Sequence, residues 1–286
     1  MNNELTNAQR AEIITHALPY IQQYYNKVIV VKYGGSAMLT DDLRSAVMGD
    51  IVLLSLIGVK VVLVHGGGPE ISEMMGKIGK TSEFIDGLRV TDEETAEIVQ
   101  MVLAGKINKN LVKLIGSTGG KAIGLSGLDG NMLECRKQSE ELGFVGDIIN
   151  INPESIFDVL AAGYIPVIST VGFDRSGNSY NVNADTAAAA IAAELEAECL
   201  ISMTDTPGIL RDKDDPNTLI PQLTISQALA LIEDGTISGG MIPKMDCCID
   251  AINRGVKKVF VLDGRVPHAI LIEILTDEGL GTMFLQ

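Results

Sequence analysis

The sequence predicts an α/β fold, a three-layer αβα sandwich around a mainly parallel sheet. Three observations carry that expectation: short runs of β-branched residues bounded by glycine or polar turns, segments of helical period between them, and no proline- or serine-rich linker dividing the chain.

The strand-like runs lie at 28–32, 60–65, 122–126, 165–170, 199–204 and 257–263. Each is short and apolar on both faces, as a parallel strand covered by helices on both sides must be. Helical period fills 41–57, 69–78, 92–115, 153–162 and 183–194, the last with alanines at 187–190 that suit close helix packing. Between 129 and 151 the pattern becomes turn-rich, and a second turn signal sits at 174–178; both predict β-hairpins projecting from the sheet. Ahead of the first strand, 6–25 has an apolar stripe of Ile13, Ile14, Ala17, Leu18, Ile21, Tyr24 and Tyr25, an amphipathic helix interrupted at Pro19. The expected organisation is an N-terminal oligomerisation helix over 1–27, one lobe over 28–178 and a second over 179–286, together one compact unit.

With 37 acidic residues against 22 basic ones the net charge is -15, which repels nucleic-acid phosphates and anionic lipid. Any polyanion site must therefore be built locally from a few lysines, arginines and helix N-termini. Four cysteines without C-x-x-C spacing support neither a zinc site nor a disulfide framework, and the three histidines form no metal set. The polar start and the lack of an uninterrupted apolar run lead us to expect a cytoplasmic protein with no membrane partner.

Two loops have the composition of anion sites. The apolar run 28–31 leads into Lys32, Tyr33, Gly34 and Gly35, so backbone N–H groups and a mobile ammonium group meet at a strand end. The run 61–65 leads into Gly66, Gly67 and Gly68, and Pro69 then suits the first turn of a helix. Open α/β sheets bind ligands at such an edge. There is no G-x-G-x-x-G, which disfavours a dinucleotide-dependent oxidoreductase, and the stretch 116–121 is one residue short of a P-loop and reads as a loop after a helix.

Six motifs in register, 32–35, 65–69, 87–91, 181–185, 205–210 and 239–244, resemble the amino acid kinase family, in particular its members that phosphorylate the side-chain carboxylate of N-acetyl-L-glutamate. The resemblance implies ATP as phosphoryl donor, with Mg2+ arriving on the nucleotide and no protein metal site. It implies Lys32 and Lys244 as stabilisers of the transferring phosphoryl group, with Asp185 as their shared counter-ion. By itself, Asp185 reads equally well as an acid at a helix N-terminus. The resemblance gives Gly67, Gly68, Arg89, Asn181 and Asn183 to the acceptor, and Asn183 also suits a helix cap. To the nucleotide it gives Gly34, Gly35, Thr204, Asp205, Gly208, Lys213, Gly240 and Met241. Arginine-inhibited members carry an N-terminal helix that links dimers into a hexamer. The resemblance extends to 268–282 and implies L-arginine as an inhibitor near Tyr20, His268, Glu278 and Gly281. Family members acting on carbamate, glutamate or aspartate, and a non-catalytic arginine-sensing scaffold, are the competing readings.

Overall fold

The computed structural model describes residues 6–34, 40–212, 214–237 and 239–286. Two short helices, α1 (Asn7–His16) and α2 (Leu18–Tyr24), precede β1 (Val28–Tyr33), α3 (Asp41–Leu56), β2 (Lys60–His65) and α4 (Gly68–Lys77). A small hairpin, β3 (Phe84–Ile85) with β4 (Leu88–Arg89), leads to a long helix. That helix runs as α5 (Glu93–Gln100), a π-helical turn over Met101–Ile107, and α6 (Asn108–Ser117). Next come β5 (Ala122–Ser126), β6 (Leu133–Lys137), β7 (Gly146–Ile151), α7 (Glu154–Ala161), β8 (Ile165–Ser169), β9 (Val171–Phe173) and β10 (Ser179–Asn181). The remainder is α8 (Ala184–Glu194), β11 (Cys199–Thr204), β12 (Gln222–Thr224), α9 (Ile225–Glu233), α10 (Met241–Asn253), β13 (Lys258–Asp263), α11 (Ala269–Leu275) and β14 (Thr282–Leu285).

The main sheet has eight strands in the order β12-β14-β13-β11-β1-β2-β8-β5. Its neighbours pair in parallel except at β13–β14, so β12 and β14 run against the other six. Alternation along each strand divides the core. Val30, Val62, Val64, Leu200 and Val261 face α8 and α10, whereas Ile29, Val31, Leu63, Ile201 and Leu262 face α3, α6 and α11. The alanines of α8 after its first turn, at 187–190, 192 and 193, are buried, which lets that helix lie close against β1 and β2. A second sheet, β10-β9-β6-β7, projects from the first, and β9 follows β8 after one intervening residue, Thr170.

Two boundaries differ from the sequence expectation for local reasons. The N-terminal helix breaks at Ala17 rather than at Pro19, because a proline lacks its N–H and crowds the turn before it; Pro19 instead occupies the first turn of α2. The helical stretch expected over 92–115 is interrupted by the π turn, whose extra residue leaves no trace in a 3.6-residue pattern.

Candidate active site

Parallel pairing brings the ends of β1, β2, β8 and β11 to one edge: Lys32 lies beside Ser202 and Val64, and His65 beside Tyr33 and Ser169. The loops after β1 and β2 touch, since Gly66 N–H donates to Tyr33 O at 3.2 Å. A Cβ at Gly34 would stand 3.3 Å from Gly66 N, and one at Gly66 would stand 3.1 Å from Cβ of Ala184 at the start of α8. A side chain at either glycine would have to push its neighbour aside by a few tenths of an ångström, so glycine eases the convergence of these three segments.

The charged centre sits at this edge. Lys32 is buried, and its Nζ lies 3.0 Å from Asp185 Oδ1; Lys244 Nζ lies 3.9 Å from Asp185 Oδ2. Ser202 Oγ donates to Asp185 Oδ1 at 3.2 Å. Burial works to raise the pKa of Asp185, but the ammonium groups of Lys32 and Lys244, with hydrogen bonds from Lys32 and Ser202, hold it below the usual carboxylate range. Asp185 occupies the first turn of α8, where Asn183 Oδ1 caps the helix by accepting from the N–H groups of Asp185 and Thr186. Lys244 occupies the first two turns of α10, which begins after Gly240 and packs on α8. Two positive groups around one carboxylate leave the centre net positive inside an acidic protein.

On one side of the centre lies a cavity of about 160 Å³ lined by Gly66, Gly67, Gly68, Arg89, Asn181 and Asn183 among others. Arg89 is not the exposed arginine its surroundings in sequence would allow. It is 6% exposed and donates to Ser82 Oγ at 2.5 Å, Gly68 O at 2.9 Å and Ser72 Oγ at 2.9 Å, with Phe84 stacked 4.8 Å from the guanidinium. These bonds orient the planar fork before any ligand arrives. Asn181 Nδ2 donates to Thr91 Oγ1 at 3.3 Å.

A second cavity, of about 500 Å³, contains Asp185, Lys244 and Gly240 and shares Gly87, Leu88 and Asn183 with the first. A third, of about 260 Å³, is lined by Gly208 and Met241, the residue after Gly240. Thr204 is buried at the end of β11, and its hydroxyl donates to Asp205 Oδ1 at 3.3 Å. Gly208 has φ +149° and packs on Thr282, where a Cβ would stand 2.7 Å from Oγ1, so its glycine also serves the docking of β14. Gly35 and Lys213 lie outside the described residues. Among the described residues no group of three or more His, Cys, Asp and Glu side chains is placed to hold a metal ion.

Of the four residues of the expected effector region, Tyr20 joins the N-terminal helices to the C-terminal segment, while His268 and Gly281 contact α3 and β13. The Tyr20 hydroxyl donates to Asp277, next to Glu278, which raises the tyrosine pKa; His268 Nδ1 lies 2.6 Å from Asp50 Oδ1; and Gly281 packs on Val261 O.

A family model described as Amino acid kinase family matches residues 27–263. The chain belongs to the amino acid kinase family. Curated family relatives match almost end to end. The chain is 55% identical over 98% of its length to acetylglutamate kinase of Brachyspira hyodysenteriae, covering 98% of that protein. It is 52% identical over 98% of its length to the acetylglutamate kinase of Clostridium beijerinckii, covering 99% of it. Among solved structures, N-acetylglutamate synthase of Neisseria gonorrhoeae with coenzyme A and N-acetyl-glutamate superposes with a TM-score of 0.84 at 26% identity. That match covers 96% of this chain but 63% of the synthase. Carbamate kinase of Giardia lamblia bound to AMP-PNP superposes at 0.65 with 16% identity over 91% of this chain and 98% of the carbamate kinase, a likeness of amino acid kinase fold alone.

Ser72 and Ser82, which hold Arg89, Ser202, which holds Asp185, and Asn108, which meets the His65 ring, were not singled out from the sequence. Of these only Asn108 left a signal: with Leu111 and Ile115 it falls on the buried stripe of α6, where an apolar residue is expected.

Proposed function

We propose that the chain transfers the γ-phosphoryl group of ATP to the side-chain carboxylate of N-acetyl-L-glutamate, giving ADP and N-acetyl-L-glutamyl 5-phosphate for arginine biosynthesis. The observation that carries this reading is the Lys32–Asp185–Lys244 constellation between two sides of a cleft, in a chain 55% identical to an acetylglutamate kinase over 98% of its length. A carboxylate is already deprotonated at neutral pH, so the reaction needs no general base. Its demands are alignment and neutralisation of charge on the group in flight.

In this reading Arg89, Asn181 and the backbone of Gly67 and Gly68 hold the acceptor, with Asn183 between cap and ligand. Thr204, Asp205, Gly208, Gly240 and Met241, together with Gly34, Gly35 and Lys213, hold the nucleotide. One carboxylate oxygen of the acceptor attacks the γ-phosphorus as the bond to the bridging β–γ oxygen breaks, and ADP takes the electron pair. Lys32 and Lys244 approach the transferring group from opposite sides, and Asp185 keeps the two ammonium groups apart and aimed. Mg2+ comes with the nucleotide and neutralises charge on its β- and γ-oxygens. Asp185 is engaged by both lysines, which favours delivery of the ion on ATP over a protein metal centre.

Regulation and assembly complete the proposal. Ile13, Ile14 and Leu18 are exposed, and α1 has no buried residue of its own. Tyr24 of the same stripe is buried on its own chain, and the part left uncovered suits pairing with a second subunit and a hexamer built from dimers. The contact of Tyr20 with Asp277 ties that helix pair to the segment bearing Glu278, supporting L-arginine as an inhibitor read by Tyr20, His268, Glu278 and Gly281. No described helix is long and apolar enough to cross a membrane, and four free cysteines suit a reducing cytoplasm.

Steady-state ADP release tests the reading. Release must depend on N-acetyl-L-glutamate, exceed that with glutamate, aspartate or carbamate, and fall on adding L-arginine. ADP release that is indifferent to N-acetyl-L-glutamate refutes the acceptor, and full activity at saturating arginine refutes the regulation.

A further inference from the structure

His65 ends β2 with 0% exposure, so its ring touches no reactant. Its Nδ1 lies 3.0 Å from Gly66 O and its Nε2 lies 3.2 Å from Asn108 Nδ2. A carbonyl only accepts, so Nδ1 carries the proton and Nε2 accepts from the Asn108 amide. The orientation of that amide is set independently. Its nitrogen also lies 2.8 Å from Val167 O and 3.1 Å from Leu125 O, so its two hydrogens serve these carbonyls and the ring with one of them shared, while its oxygen accepts from Lys109 Nζ at 3.1 Å. Burial pushes the pKa of His65 down to about 4, which keeps the ring neutral and the tautomer single.

This matters because of what the ring holds. A run of three glycines is the least restricted backbone available, so the direction of its N–H groups has to be imposed from outside. In a planar trans peptide the C=O and the following N–H point to opposite sides. Holding Gly66 O back against His65 therefore turns the Gly67 N–H away from the core, toward the cavity lined by Gly67, Gly68 and Arg89. The next peptide is held by main chain alone, since Gly67 O accepts from Ile71 N–H at 3.0 Å. Of the two N–H groups on this turn, one thus owes its direction to side chains.

The π turn explains how Asn108 reaches the ring. It ends at Ile107, and the residue it inserts into the helix rotates everything after it. Leu103 and Ile107 of the turn cover Gly67, and Asn108 is carried into the core between β5 and β8.

We propose that His65 and Asn108 are positioning residues, a neutral hydrogen-bond relay from the cores of β5 and β8 that fixes the Gly66–Gly67 peptide and so the direction of the acceptor-binding N–H. The inference rests on the assignment of the triple-glycine turn to the acceptor.

The test uses the full chain and compares His65→Asn, His65→Gln, His65→Leu and Asn108→Leu, with KM measured for each substrate alongside kcat and the thermal midpoint. An asparagine amide places its N–H near the imidazole Nδ1, whereas glutamine places it near Nε2. The relay predicts that His65→Leu and Asn108→Leu raise the KM for N-acetyl-L-glutamate roughly ten-fold with the KM for ATP within about two-fold. It further predicts that His65→Asn recovers most of the loss and His65→Gln does not. If the leucine variants do not fold, the Asn and Gln pair decides alone: equal acceptor KM values in the two overturn the relay. Unchanged acceptor KM in all variants, or both KM values rising together, also overturns it. A rise confined to the KM for ATP and relieved by His65→Asn overturns the acceptor assignment of the turn, and with it the proposal, while leaving the hydrogen bond itself intact.

Discussion

Asp185 grips its two lysines unequally. Lys32 projects from a strand locked between two others and sits 3.0 Å away with Ser202 on the same oxygen, whereas Lys244 projects from the start of α10 at 3.9 Å. The looser partner is the one free to follow charge as it develops, so its contribution should fall on the transition state. Lys244→Ala is expected to lower kcat roughly a hundred-fold or more while leaving the acceptor KM nearly unchanged. A variant that only raises KM contradicts that role. His65 makes a second prediction. Its pKa of about 4 is below its unfolded value, so the unfolded chain binds more protons between those two values. The stability it contributes is complete above about pH 6.5 and is lost as pH falls toward 4. Urea midpoints measured at pH 7 and pH 5 should diverge more for the wild type than for His65→Asn; equal divergence contradicts the buried neutral ring.

At the scale of elements, the π turn and the glycine turn fit as a pair. A Cβ at Gly67 would stand 2.0 Å from Ile107 Cδ1 and 2.9 Å from Leu103 Cδ2. Gly67→Ala is therefore expected to cost about 1–3 kcal/mol by overpacking, and adding Ile107→Ala should return part of it, as read from paired denaturation curves. A simple sum of the two single effects contradicts the contact. The glycines, the strand ends and Lys32 were legible from the sequence because each follows from a local rule, whereas Lys244 was reached only through the family resemblance. The π turn was not, since the side-chain pattern of 92–115 still reads as one helix with a single apolar face. Nor were the serines that orient Arg89, because Ser72 and Ser82 meet it only through packing of α4 against the segment before β3.

At the scale of the molecule, six parallel strands and their order-independent layering could be read from alternating runs. The edge strand β12 and its neighbour β14 could not: β12 has three residues and pairs only with β14, which itself runs against β13. The exposed Ile13, Ile14 and Leu18 lead to a prediction about assembly. Removing residues 1–16, or changing Ile13 and Ile14 to aspartate, should lower the mass seen by light scattering from the proposed hexamer to a dimer with basal activity kept. An unchanged mass contradicts the assignment of that stripe to subunit pairing.

The proposed reaction makes an acyl phosphate on one acceptor, and hydroxylamine traps that product. With ATP, Mg2+ and hydroxylamine present, the account predicts hydroxamate formation with N-acetyl-L-glutamate well above that with glutamate, aspartate or carbamate, and its loss in Lys244→Ala. No hydroxamate with N-acetyl-L-glutamate, or more with another acceptor, would contradict it.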